Sequence, residues 1–259
     1  GIRGFGMVSS IALDFSRRED ARRVAFSRVW ASALDAVFSD VAPYYDIASE
    51  VASLGLCHRW RRRFVDEIDA NPGDRVLDLC AGTNGVGIAL LRRRPDLRIT
   101  AMDRSRAMQK VGRRLARARG FEIGSVIGDA HRLPFPDGSF DVVTLQWASR
   151  HLAVVDVFSE VRRVLRPGGR FHHCDMLRPA NPGVAVAYGA YLRTCLAATA
   201  LVFGSSREAW ACRDYFVRAI DMFYSADELS ALLADLGFAA VSSESAPGGV
   251  IARHRAVRV

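Results

Sequence analysis

The chain has 259 residues, half of them hydrophobic, which is enough for one large α/β domain or one domain with an appended helical part. Its five cysteines (Cys57, Cys80, Cys174, Cys195, Cys212) are odd in number, scattered and free of CxxC pairs, which argues against a disulfide framework or a zinc site and fits a reducing cytoplasm. The net charge of +8 comes almost wholly from arginine; Lys110 is the one lysine, which argues against Schiff-base chemistry, and the arginines are dispersed and not interleaved with aromatics as a nucleic-acid stacking platform requires.

Gly1–Gly6 precede Met7 and read as a leader outside the fold, and with no secretion signal and no uninterrupted apolar run of about 18 residues the chain reads as soluble and unsecreted. Phe15–Ser39 carries Arg, Ala, Val and Phe at helical spacing and predicts one or two amphipathic helices. Pro43 interrupts, a second helical region follows through "HRWRRR" (His58–Arg63), and "NPGD" (Asn71–Asp74) is turn chemistry. Strand and helix signals then alternate: a strand Arg75–Leu79, a helix from about Gly85 to Arg93, a strand ending at Asp103, a helix from about Ser105 to Arg119, a strand ending at Asp129, a strand around Phe140–Trp147 and a helix near Val154–Leu165. A turn at "RPGG" and the strand "RFHHCDML" complete the run. Such alternation predicts a parallel sheet with helices on both faces.

After Pro179 the pattern turns helical, through Val184–Phe203 and Glu208–Ile220, an insertion at about 180–224 placed to cover the carboxyl edge of the sheet, where ligands of open α/β sheets bind. Ser225 with Glu228 forms a capping box for the next helix, Gly237 stops it, and "AAVSSES" and "GVIARHRAVRV" close the chain as two short strands. Residues 1–37 read as a helical extension and 38–259 as the main domain.

"RVLDLCAGTNGVGIALL" (Arg75–Leu91) runs from a strand through a glycine turn into a helix, so a ligand can approach backbone and rest at a helix N-terminus. Neither a well-placed GxGxxG nor GxxxxGK[ST] is present, which disfavours dinucleotide and P-loop readings. Asp103 ends the second strand about 25 residues after Asp78, where a ribose diol needs a carboxylate. Asp129 ends the third, where a purine amino group could meet an acceptor. Three carboxylates at three successive strand ends describe a nucleoside pocket without a phosphate clamp; taken singly, each could merely cap the turn that follows it.

"VLDLCAGTNG", "AMDRSRAM", "GDAHRLPFPDGSFDVVT" and "EVRRVLRPGGRF" resemble the motifs of class I S-adenosylmethionine-dependent methyltransferases. "PYYDIASEVASLGLCHRWRRR", "WASRHL", "DYFVRAIDMFYSADELSALLADLGF" and "GGVIARHR" are similar to the ubiquinone/menaquinone-biosynthesis C-methyltransferases, over about residues 38–256. The resemblance implies a doubly wound, Rossmann-like α/β fold of seven mostly parallel strands with the last antiparallel. It implies S-adenosylmethionine as donor, S-adenosylhomocysteine as product, and a polyprenylated quinol-type acceptor. It also implies a donor site at Asp78, Cys80, Ala81, Gly82, Thr83, Asn84, Asp103, Arg104, Met108, Asp129, Ala130 and Gln146. The chain departs from the family at Asn84, usually Gly or Ala, at Arg150-His151, usually Arg-Asn, at Ala48-Ser49, usually Met-Asn, and at Cys57, often His. Several departures fall where the acceptor would bind, which leaves a quinol, a phenol or a polyketide-like aromatic open.

A methyl on a sulfonium is already activated, so the enzyme must align a nucleophile at about 3 Å and exclude water. For attack by a ring carbon, removing a hydroxyl proton loads electron density onto that carbon. His151, Asp175 and Tyr45 are candidate bases, and Arg150 is a candidate cation for the ring oxygen. The competing structural roles are an ion pair for Arg150, local hydrogen bonding for His151, a turn cap for Asp175 and packing for Tyr45. His172 and His173 alternate faces of a strand, so no metal site is expected. O-methylation, or cyclisation on the same donor-binding fold, is the alternative chemistry. Arg17, Arg18, Arg22 and Arg23, with Arg59 and Arg61–Arg63, could form a patch for peripheral contact with an anionic membrane; a homodimer is a further open partner.

Overall fold

Seven strands join in the order β3-β2-β1-β4-β5-β7-β6. They are β1 (Arg75–Leu79), β2 (Arg98–Asp103), β3 (Gly124–Ile127), β4 (Phe140–Gln146), β5 (Leu165–Met176), β6 (Phe238–Ser245) and β7 (Ile251–Arg258). The computed structural model describes residues 5–204, 210 and 212–259, with backbone alone at 5–14 and 203. The first five strands pair in parallel, and β7 runs antiparallel to both β5 and β6.

Burial on both faces explains why β1 and β4 read as continuous apolar runs and not as alternating ones. On one face Leu77, Leu79, Val143 and Leu145 pack against Val157 and Phe158 of α7 (Val154–Val164) and Leu229 and Leu232 of α10 (Ala226–Asp235). On the other, Val76, Val142 and Cys174 meet Phe64 of α4 (Leu56–Asp66) and Val86 and Leu90 of α5 (Gly85–Leu91). The cap signals act as expected: Ser105 accepts from the Met108 amide at the start of α6 (Arg106–Arg117), the Ser225–Glu228 box opens α10, and Gly237 ends it at φ +84°.

Three local readings change. β5 runs straight through "RPGG": Phe140 pairs with Leu165 and Val142 with Arg170, so residues 166–169 form a bulge, with Gly168 at φ +73°. The first helix, α1 (Phe5–Arg28), starts inside the glycine-rich leader, and a π-helical turn, Val29–Ala33, joins it to α2 (Leu34–Val41). In the insertion, α8 (Pro182–Phe203) is followed by α9 (Arg213–Asp221); the expected helix start at Glu208 lies outside the described residues. The 21 residues Pro182–Val202 are long and apolar enough to cross a membrane by length and composition, with mean hydropathy 1.3, although sequence inspection found no uninterrupted apolar run of that length.

The first helix belongs to the body of the molecule. Arg22 is fully buried, pairs with Glu19 and donates to the carbonyls of Arg150 (3.1 Å) and Leu152 (2.9 Å), with its guanidinium over the Phe223 ring. Arg18 pairs with Glu228 and Arg23 with Asp156, both at 2.7 Å. Of the expected basic patch, Arg22 is buried and Arg18 and Arg61 are half-buried, while Arg17 and Arg23 on α1 and Arg59, Arg62 and Arg63 on α4 stay exposed.

Arg22→Ala should cost about 3–5 kcal/mol of stability, since it strands a buried carboxylate and two part-buried carbonyls. Urea denaturation measures it. A loss under about 1 kcal/mol, as for an exposed ion pair, would contradict this packing.

Candidate active site

The turn after β1 is built from strained backbone fixed by buried carboxylates. Cys80 and Gly82 both stand at φ +53° and Asn84, the N-cap of α5, at +62°. Glycine adopts this region freely and asparagine tolerates it. Asp78 accepts from the Gly87 amide (3.2 Å) and the Thr144 hydroxyl (2.9 Å), while Asp103 accepts from the amides of Gly82 and Ser105, both at 2.8 Å. Burial pushes the Asp78 carboxyl up to about 6 against those two bonds. It raises Asp103 too, with the Ser105 and Gly82 amides holding it back.

Two latches join the helical cap to the ends of β1 and β2. Thr83 donates to Asp46 of α3 (Tyr45–Ala52) at 3.0 Å, and Asp46 also accepts from Arg61 at 3.4 Å. The Arg61 guanidinium lies so close over Gly85 that a Cβ there would sit 2.7 Å from it. Arg104 donates to Asp35 (2.6 and 2.9 Å) and to the carbonyls of Trp30 and Ala31 (both 2.7 Å), closing the π-helical turn over the strand ends.

Beneath these latches lies a cleft of about 880 Å³. Of the expected donor-site residues, Cys80, Gly82, Asp103, Arg104, Met108, Asp129, Ala130 and Gln146 line it; Asp78, Ala81, Thr83 and Asn84 do not. The Asn84 side chain turns toward α6, where Oδ1 accepts from Gln109 at 2.8 Å and the missing Cβ of Gly112 leaves it room. Asp129 takes the amide and ring N–H of His131 (2.9 and 2.6 Å), which overcome the opposing effect of burial and hold its carboxyl below the usual value. Gln146 carries a buried Nε2 without an acceptor at the cleft wall, a donor that costs about 1–3 kcal/mol if left unmet. Cleft carboxylates and this orphan amide suit a polar nucleoside. Among the described residues, His, Cys, Asp and Glu form no group able to hold a metal.

A second cavity of about 1530 Å³ opens alongside, walled mainly by apolar and aromatic side chains including Trp60, Tyr188, Leu196 and Phe216, with Arg61, Arg150 and Arg213 as its cations. Ala48, Ser49 and Cys57, three of the departures from the family pattern, line it. Phe38, Tyr45 and Trp147 line both spaces and form the wall between them.

The adjacent pair Arg150 and His151 diverges at this wall. Arg150 lines the apolar cavity, pairs with Asp175 and donates to the Trp147 carbonyl (3.0 Å). His151 lines the cleft. The Tyr215 hydroxyl accepts from Trp30 (3.0 Å) and lies 2.7 Å from His151 Nδ1, with the direction of that bond set by the ring tautomer, while His151 Nε2 is buried without a partner. Burial, then the charges of Arg150 and Arg22, push His151 far below the usual histidine range. His151 is thus a buried, neutral ring at the wall, bonded to Tyr215. Asp175 is fully buried and already accepts from Ser149 (2.6 Å), the Arg150 amide (3.1 Å), the Met176 amide (2.7 Å) and the Arg150 guanidinium. Burial raises the Tyr45 phenol, which keeps its proton.

Sequence reasoning assigned no site role to Trp30, Phe38, Trp147 or the aromatics of α8 and α9. Trp147 has φ +62°, an uncommon conformation for a bulky residue that marks a shaped site, and that signal exists only in the backbone.

The family model described as the ubiE/COQ5 methyltransferase family matches residues 27–258. This chain belongs to that family. It is therefore an S-adenosylmethionine-dependent methyltransferase. A demethylmenaquinone methyltransferase of Beutenbergia cavernae is 38% identical over 224 residues, 86% of this chain and 90% of that protein. A ubiquinone/menaquinone biosynthesis C-methyltransferase of Dinoroseobacter shibae is 30% identical over 227 residues, 86% and 90% of the two chains. Among solved structures, geranyl diphosphate C-methyltransferase from Streptomyces coelicolor aligns with TM-score 0.57 at 17% identity, covering 78% of this chain and 79% of that one, and shows the shared fold.

Asp78 gives a pH test. Its folded-state value of about 6 lies above the ordinary 3.8, so the folded state binds the proton more tightly. The resulting stability is fully present below pH 3.8 and is lost as pH rises through 6. Between pH 4 and 7 the enzyme should lose about 2–3 kcal/mol relative to Asp78→Asn, read by urea unfolding. Parallel pH profiles would refute the buried-carboxyl assignment.

Proposed function

We propose that the enzyme methylates a ring carbon of a demethylmenaquinol-type quinol. One observation carries this reading: a cleft with polar groups at the strand ends shares a wall, Phe38, Tyr45 and Trp147, with a larger apolar cavity that contains a cation. S-adenosylmethionine in the cleft would set its ribose hydroxyls at Asp103, its adenine near Asp129 and its amino-acid end along the turn after β1, and it supplies the electrophilic methyl. The quinol ring would lie across the wall with an oxygen at Arg150 and its prenyl tail along α8.

Arg150 would stabilise the oxyanion left when the hydroxyl proton passes to solvent as the quinol binds, and that oxyanion directs electron density to the neighbouring carbon. The aromatic wall would fix the line of approach and exclude water. Tyr45, protonated, would donate to the same oxygen and not remove its proton. The names of the relatives at 38% and 30% identity agree with this acceptor class.

Turnover with S-adenosylmethionine and a short-chain demethylmenaquinol should yield S-adenosylhomocysteine and a ring-carbon methyl, read by mass spectrometry; a methyl on oxygen would overturn the reading. Arg150→Lys, which keeps the charge beside Asp175 but loses the planar fork, should lower kcat about 100-fold with donor affinity unchanged by calorimetry. An equal loss of donor affinity would place Arg150 in the donor site.

A further inference from the structure

A run of polar groups crosses the sheet face that α7 and α10 cover. Ser149, His173 and Asp175 have no exposed surface and His254 has 3%. The β5–β7 register sets His173 opposite His254, and Asp175 shares the His173 face two residues on. Four contacts join them. Asp175 Oδ2 lies 2.6 Å from Ser149 Oγ, and Ser149 Oγ lies 2.7 Å from His173 Nε2. His173 Nδ1 lies 3.3 Å from His254 Nδ1, and His254 Nε2 lies 3.0 Å from the Ala226 carbonyl.

Each contact needs one proton between its two atoms. The carboxylate and the carbonyl at the two ends bring none, while Ser149 and the two neutral imidazoles bring one each. Three protons cannot fill four bonds.

We propose that this buried chain retains a fourth proton, shared among Asp175, His173 and His254, and that the proton offsets the Asp175 charge so that Arg150 faces the acceptor cavity as a net cation. The first half stands on geometry alone; the second rests on the quinol reading above.

No single group holds that proton comfortably. The Arg150 guanidinium, the Arg150 amide and the Met176 amide all donate to Asp175. Burial and the His254 ring push His173 far down; burial lowers His254, with the Ala226 carbonyl and Asp227 pulling back. The proton therefore belongs to the coupled set. The other groups turned toward the chain are Arg150 from the turn after β4, Tyr188 from α8 and Asp227 at the start of α10, with the Cys80 and Cys174 thiols near Asp175. Phe158 and Phe171 pack the His173 ring from the apolar side. Methylation itself releases one proton: the sulfur–carbon bond breaks to a neutral thioether, the new carbon–carbon bond forms, and the ring carbon gives up its hydrogen. The retained proton is separate from that one and is not consumed.

The test is NMR of the full-length protein labelled with 15N-histidine and 13C-aspartate at pH 7. It should show one extra proton, either as a ring with both nitrogens protonated or as a protonated Asp175 carboxyl. Ser149→Ala cuts the chain between Asp175 and His173, and should return both rings to neutral and leave Asp175 ionised. Asp175→Asn supplies the missing hydrogen from its own amide, at the cost of the Arg150 amide bond that Oδ2 accepts, so it should be less stable but show both rings neutral. Two neutral rings beside an ionised Asp175 in the unaltered protein would overturn the first half, whatever the methylation assay gives. For the second half, kcat of the unaltered enzyme should fall at alkaline pH as the chain loses its proton, and Asp175→Asn should lack that limb. The same limb in both proteins would overturn it.

Discussion

The six residues that leave β4, Trp147–Leu152, must turn across the carboxyl edge of the sheet, and what grips them decides the shape of both cavities. Arg22 reaches from α1 to the carbonyls of Arg150 and Leu152, Asp175 takes the Arg150 amide from β5, and the Tyr215 hydroxyl holds His151 from α9. The Trp147 amide, bonded to the Cys174 carbonyl at 2.9 Å, keeps the first of them in register with the sheet. A bulky residue at φ +62° costs about 1–3 kcal/mol and persists where its surroundings over-determine it. The return on that strain is geometric: Arg150 and His151, adjacent in sequence, enter different cavities on either side of one aromatic wall.

The same grip draws on several of the chain's arginines. Arg22, Arg61, Arg104, Arg150 and Arg178 each join separate elements, and Arg104 alone donates to Asp35 and to two backbone carbonyls. A planar guanidinium keeps its charge when buried and directs several donors at once, which a lysine ammonium cannot reproduce. Part of the positive charge is thus spent in holding the helical cap to the strand ends. Cap and sheet must stay in contact for the cleft and the cavity to share a wall.

The sheet was legible because its signals are local. The change from strand to helix periodicity, the capping box at Ser225 and the strand-end aspartates each depend on a few neighbouring residues. The site was legible in outline and less so in its hydrogen bonds. On a helix carrying Arg17, Arg18, Arg22 and Arg23, nothing local distinguishes the buried member from the exposed one; Arg22 is chosen by carbonyls some 130 positions away. Asp175 and His151 look like bases in isolation, and their partners Ser149, Arg150 and Tyr215 meet them only once the chain is folded. The "RPGG" run carries turn chemistry and yet becomes a bulge, since both flanks pair with β4.

The central claim is that a nucleoside cleft and an acceptor cavity meet at Phe38, Tyr45 and Trp147. A crystal structure with S-adenosylhomocysteine and a short-chain naphthoquinol tests it most directly. The claim predicts the sulfur and the ring on opposite sides of that wall, the ribose at Asp103, the Gln146 amide satisfied, and a ring oxygen within hydrogen-bond reach of Arg150. A naphthoquinol bound outside the apolar cavity, or an adenosine bound away from the ends of β1 and β2, would contradict it.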